Sequence, residues 1–296
     1  MNLTPPAQHD RPALRDYHGY PTYRLDNDHV WLEALDTAGP RIVRFGLFGS
    51  SANLLAETPD LGWETTLGRY ELMGGHRLWF APENPDIVAV PDSEGLVLTE
   101  TETGIRLDGP PEPQTRVVRS ISVALVPGAP AVELCHRLTN AGERSIELAP
   151  WSITQLPLGG VVRLPQPPAV AEHRLHPNRL LVLWPYTTWE DPRLELCEGQ
   201  VRVRAEAGPR MKVGSFVEGG VVSYARDGVT LTCAFRPEPG VRRTDMGCNV
   251  EVYIGDGFVE LEVLGPLVEL APGQEVTLDE RWDVAPWRRL SRPGSP

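Results

Sequence analysis

Near the C-terminus, Asn249, Glu251, Tyr253, Phe258, Glu260 and Glu262 alternate with Val250, Val252, Ile254, Val259, Leu261 and Val263 on either side of Gly255-Asp256-Gly257. Glycine and aspartate readily take the positive φ of a two-residue turn, so two runs of period-two alternation around them predict a hairpin. Antiparallel pairing then gathers the three carboxylates, the amide and the phenol on one face and the aliphatic residues on the other. Crowded carboxylates raise one another's pKa and become usable as proton acceptors or donors near neutral pH. Like charges opposed across strands also call for compensation by water, a cation or a bound polar ligand. A solvated sheet face, by contrast, needs no ligand at all.

A second group with chemical potential runs from Arg69 to Glu83, where Gly74-Gly75 leads into His76, Arg77, Leu78 and Trp79. Arginine donates in a fork to ligand oxygens, an indole offers an apolar face to the C–H side of a sugar ring, and imidazole exchanges a proton near neutrality. If a strand follows Gly75, His76 and Leu78 face one way and Arg77 and Trp79 the other, so the four need not serve one site. Lys212 is the only lysine in the chain and a candidate ligand contact. His136 shares a strand parity with Leu134 and Leu138, which reads as a core histidine held in reserve as a catalyst. Trp184, Tyr186 and Trp189 fall at loop positions, where aromatics stack on ligands or pack under the loops. His173 and His176 lack the i, i+4 helical spacing of a zinc pair.

Strands must position these groups. Short alternating runs punctuated by 30 Pro and 28 Gly recur throughout the 296 residues, and no window carries a helical apolar stripe. The expectation is an all-β chain with a lead-in over 1–19, one domain over 20–286 and a tail over 287–296, because no linker divides the strand series. A net charge of -12 argues against general affinity for nucleic acid or anionic membranes, which basic patches drive. Cys135, Cys197, Cys233 and Cys248 form no C-x-x-C pair and read as reduced, buried thiols. With no signal-peptide pattern or apolar run of spanning length, a cytoplasmic protein is expected. Oxygen ligands from Asp245, Glu251 and Glu260 would suit calcium, but the reading taken forward has no metal and no cofactor.

Three stretches together resemble a branch of the galactose-mutarotase-like (aldose 1-epimerase-like) superfamily: Gly74 to Glu83; Leu138-Thr139-Asn140-Ala141-Gly142 followed by Leu148-Ala149-Pro150-Trp151; and Glu260 to Pro266. Their order spans most of the chain, roughly Tyr20 to Trp282. The resemblance implies a β-supersandwich with a concave ligand face, a small carbohydrate as partner, and epimerase chemistry that uses a glutamate base and a histidine acid. By strand position Glu262 is similar to the family glutamate, with Glu260 the near alternative. Where an epimerase places its acid histidine this chain reads Ala149-Pro150-Trp151-Ser152-Ile153-Thr154, so His76 is the substitute acid. The expected site is thus Glu262 and His76 as catalysts, with Arg77, Trp79, Trp151, Asn249, Tyr253, Glu260 and Lys212 on the substrate. The alternative is a sugar-binding or regulatory module without a working acid–base pair.

Overall fold

The computed structural model describes residues 15–85, 87–168 and 176–286. Within them all regular secondary structure is β-strand apart from one 3-10 turn, Asp245–Gly247. Two large antiparallel sheets stack face to face, and a separate two-stranded ribbon of Glu57–Thr65 and Gly68–Gly74 extends from the first between Arg41–Leu47 and His76–Ala81. One sheet runs in the order Arg15–Tyr17, Tyr20–Asp26, Val30–Leu35, Arg41–Leu47, His76–Ala81, Ile146–Pro157, Phe258–Leu264, Val250–Gly255, Met211–Ser215 and Leu181–Leu183. Its first strand lies within the stretch read as a lead-in, while residues 1–14, 169–175 and 287–296, and with them His173 and the C-terminal tail, fall outside the described residues. The second sheet carries Ala131–Asn140 and Glu275–Pro286 side by side at its centre.

Alternation explains the layering. Leu78, Leu156, Val252 and Leu261 from the first sheet meet Ile121, Leu138, Val222 and Trp282 from the second in one continuous core, each large side chain contributing about 1.5–3 kcal/mol by leaving water. The hairpin turns at Asp256-Gly257, with φ of 48° and 93°, and pairs Gly255 with Phe258, Tyr253 with Glu260 and Glu251 with Glu262. Of the two registers that the alternation allows, with the turn at Gly255-Asp256 or at Asp256-Gly257, this is the second. Phe258–Leu264 is nevertheless buried along its whole length, so its polar face is not an open, solvated sheet surface.

Gly74 and Gly75, with φ of 85° and 70°, form the pivot between the ribbon and the floor strand that begins at His76. A Cβ on either would collide with backbone, at the carbonyl oxygen of Ala56 or Ile42, and the positive φ would be strained for any other residue. The four cysteines are free thiols, but only Cys233 and Cys248 are fully buried. Among the described residues no helix is long and apolar enough to cross a membrane.

Candidate sugar-binding cleft

Five neighbouring strands, His76–Ala81, Ile146–Pro157, Phe258–Leu264, Val250–Gly255 and Met211–Ser215, form the floor of a cleft of about 860 Å³. Register sets its composition: Arg77 pairs with Ile153, Ile153 with Glu262, Glu262 with Glu251, and Tyr253 with both Glu260 and Lys212. The ribbon contributes Leu61, Trp63 and Leu72 as one wall, and Tyr186 and Arg210 stand on the other side.

Two charged stations occupy the floor. In the first, Arg77 Nη2 donates to Glu260 Oε1 at 2.8 Å, and Gln155 Nε2 donates to the same oxygen at 3.0 Å. The guanidinium lies 4.5 Å above the Trp79 ring, and Arg77 Nε, Arg77 Nη1 and Trp79 Nε1 are buried without partners. In the second, Lys212 Nζ lies 2.7 Å from Glu251 Oε2 and 2.9 Å from Glu262 Oε2. The Trp151 Nε1 donates to that Glu262 oxygen at 2.6 Å, and the ammonium sits between the Trp151 and Trp184 rings at 4.8 and 4.9 Å. The cation that the acidic hairpin called for is therefore Lys212, supplied by the adjacent strand.

Burial governs the titration of this second station. Desolvation, reinforced by the facing Glu262 and only partly offset by Lys212, pushes Glu251 up to about 9. Burial raises Glu262 as well, against the pull of Lys212. Burial alone would lower Lys212, yet Glu262 and Glu251 outweigh it and hold the ammonium far above its ordinary range. Both carboxylates are thus pushed toward their protonated forms, and the Lys212 ammonium is the charge that opposes this. Glu251 Oε1 and Glu262 Oε1 have no partner, and an unpaired buried polar atom costs about 1–3 kcal/mol.

No protein-family model matches the chain, and no curated protein matches it. Solved structures do. A galactose mutarotase-like protein from Lactobacillus casei aligns with a TM-score of 0.59 at 10% identity, over 89% of this chain and 100% of that one. A galactose mutarotase-like protein from Clostridium acetobutylicum gives 0.54 at 8% identity, over 92% and 97%. The fold is that of the galactose mutarotase-like proteins. A TPR-domain containing protein from Parabacteroides distasonis scores 0.61 at 15% identity, covering 94% of this chain and 49% of that one, so this chain spans about half of its length. At these identities the likeness carries the mutarotase-like fold and no reaction.

Within the mutarotase-like sandwich, Arg77, Trp79, Trp151, Tyr253, Glu260 and Lys212, six of the residues expected on the substrate, line one cleft. Three expected residues do not. Glu262 is fully buried beneath Lys212 and Trp151, and Glu260 is the hairpin carboxylate that lines the cleft. Asn249 is also fully enclosed, its amide spent on the backbone N–H and C=O of Val217. His76 shares its strand with Arg77 but points between the sheets, because successive side chains alternate. There its Nε2 meets His136 Nε2 at 2.6 Å and its Nδ1 meets Thr154 Oγ1 at 2.9 Å. His136 Nδ1 faces the Leu278 carbonyl at 2.9 Å and must donate to it, so a hydrogen-bonded chain runs from the Thr154 hydroxyl through His76 and His136 to that carbonyl. Burial, with His136 and Arg77 nearby, holds His76 well below the ordinary imidazole range.

Sequence reasoning missed Gln155, which shares strand parity with Trp151 and Ile153 and was legible from that spacing. It also missed Trp63 and Arg210, whose place beside the cleft depends on how the ribbon and a loop fold over the floor.

Proposed function

We propose that the cleft binds a carbohydrate and does not interconvert its anomers. The observation that carries this reading is the Arg77–Glu260 station, with unpaired guanidinium N–H groups and an indole beneath it. A sugar hydroxyl both donates and accepts, so it suits a carboxylate beside free N–H donors, while the C–H face of the ring covers Trp79. Epimerase chemistry needs an acid and a base that both reach the ring. None of the described residues lining the cleft is a histidine. Lys212 is held too strongly protonated to act as the acid, and burial raises the phenols of Tyr186 and Tyr253. In this reading Glu262 anchors Lys212, and Glu260 is the carboxylate that meets the ligand.

Isothermal titration and thermal shift across neutral aldoses, uronic acids and sugar phosphates test the proposal, since a ligand of the native state raises apparent stability. Arg77→Ala is expected to weaken the bound sugar by roughly 10- to 100-fold, the range for a hydrogen bond to a charged group. NMR exchange spectroscopy on the same sugars should show no faster anomer interconversion with protein than without. Acceleration would overturn the binding reading in favour of an isomerase, and an unchanged affinity in Arg77→Ala would remove the station from the site.

A further inference from the structure

The cleft is larger than one sugar needs. A hexose has about 12 non-hydrogen atoms, and granting each a water molecule's share of roughly 30 Å³ gives an upper bound near 360 Å³. The cleft holds about 860 Å³, more than twice that bound. Its floor crosses five adjacent strands, and four spacings of about 4.8 Å make it roughly 19 Å wide. A pyranose ring is about 5 Å across, close to a single inter-strand spacing.

The polar and apolar groups on this floor are also duplicated. Each station presents a cation and an indole to the cleft, Arg77 with Trp79 and Lys212 with Trp151; the first adds the Glu260 carboxylate, while Glu262 lies buried beneath Lys212. Arg77 and Lys212 rise from the two outermost strands of the floor. The aromatic packing beneath them is continuous, through the buried Tyr70. Trp63 contacts Tyr70 at 4.9 Å, Tyr70 contacts Trp79 at 5.8 Å, and Trp79 contacts Trp151 at 5.6 Å between ring centroids.

The two borders end in exposed rings. Trp63 on the ribbon is 42% exposed, and Tyr186, beside the Lys212 strand, is 47% exposed. Neither ring is needed to fill the core, and both line the cleft. Half-exposed aromatics at opposite edges of a polar floor offer stacking faces to rings that project past the centre.

From this duplication we infer that the cleft takes a ligand of two or more joined sugar rings, one ring over each cation–indole station and any further ring against Trp63 or Tyr186. The inference rests on the carbohydrate reading of the same cleft and adds its substrate class. Single sugars occupy one station and leave the other hydrated, so their affinity is the lower.

The test is titration calorimetry of the full chain with glucose and galactose, with maltose, cellobiose and lactose, and with the matching trisaccharides. The expected result is a gain of about tenfold or more from the best monosaccharide to the best disaccharide, as a second ring adds contact without a second loss of translational freedom. Trp63→Ala and Tyr186→Ala, checked for folding by thermal melts, should each reduce the ratio of best oligosaccharide to best monosaccharide affinity by about threefold or more. Equal affinities for one ring and two, or a ratio unchanged in both variants, overturn the inference and leave the carbohydrate reading standing. Binding of a monosaccharide carrying a nucleotide in preference to every glycan also overturns it. If no saccharide binds, both readings fall together.

Discussion

Two buried polar clusters lie back to back on the same strands, and they differ in one respect that matters. Facing the second sheet, Thr154, His76, His136, Ser152, Glu280, Cys233 and Trp282 form a network in which Glu280 accepts from the Ser152 hydroxyl, from Cys233 Sγ at 3.1 Å and from Trp282 Nε1 at 3.0 Å. None of its side-chain polar atoms is left without a partner, whereas five such atoms on Arg77, Trp79, Glu251 and Glu262 are orphaned on the cleft side. Native proteins satisfy nearly all buried polar groups, so a concentration of exceptions marks a place kept ready for something else. The histidines most suggestive of catalysis in the sequence are structural because their hydrogen bonds are complete. The cleft is the functional candidate because its hydrogen bonds are not.

The comparison breaks most sharply at Lys212. Lys212→Met removes the one cation shared by two buried carboxylates and should lower unfolding stability by about 3–5 kcal/mol in urea titrations at neutral pH. A loss below about 1 kcal/mol would mean that Glu251 and Glu262 are already fully protonated. On the opposite face, His76→Leu leaves the His136 acceptor without its donor and should cost about 2–3 kcal/mol. Far-UV circular dichroism of the refolded variant should match wild type, and sugar affinity should change less than it does in Arg77→Ala.

A smaller effect concerns pH. The native state holds Glu251 up to about 9 against an ordinary value of 4.5, so it retains a proton that the unfolded chain releases. That contribution is complete below the unfolded value and disappears as pH climbs through the folded one, so stability should decline between roughly pH 5 and pH 9. Glu251→Gln mimics the protonated form and should flatten the curve, read by chemical denaturation as a smaller change in stability across the window than wild type shows. A mutant curve parallel to wild type would place the retained proton elsewhere.

Parity made much of this legible in the sequence. The hairpin, the shared face of Glu251, Tyr253, Glu260 and Glu262, and the separation of His76 from Arg77 all follow from a side-chain period of two, whereas the choice between a turn at Gly255-Asp256 and one at Asp256-Gly257 does not, because both keep that face together. What parity cannot give is depth. Glu262 and Glu260 share a face, yet one is capped by Lys212 and Trp151 while the other lines the cleft, and that difference arises from strands distant in sequence. Asn249 keeps the right parity but precedes the strand proper, where its amide is captured by the Val217 backbone. Nor can alternation say which face of the His76 strand meets the second sheet, since both faces are buried.

The ribbon is fastened to the sandwich by a short stretch of its length. Tyr70, Leu72 and Met73 are buried, with the Leu72 carbonyl and the Tyr70 hydroxyl both held by Arg41, while residues 60–69 are half-buried or exposed. One wall of the cleft is thus a separable module: its tip can be lengthened, shortened or recoded without disturbing the register of a single floor strand. A lineage or an engineer seeking new selectivity has a natural splice point there, with Gly74 and Gly75 as the fixed joint.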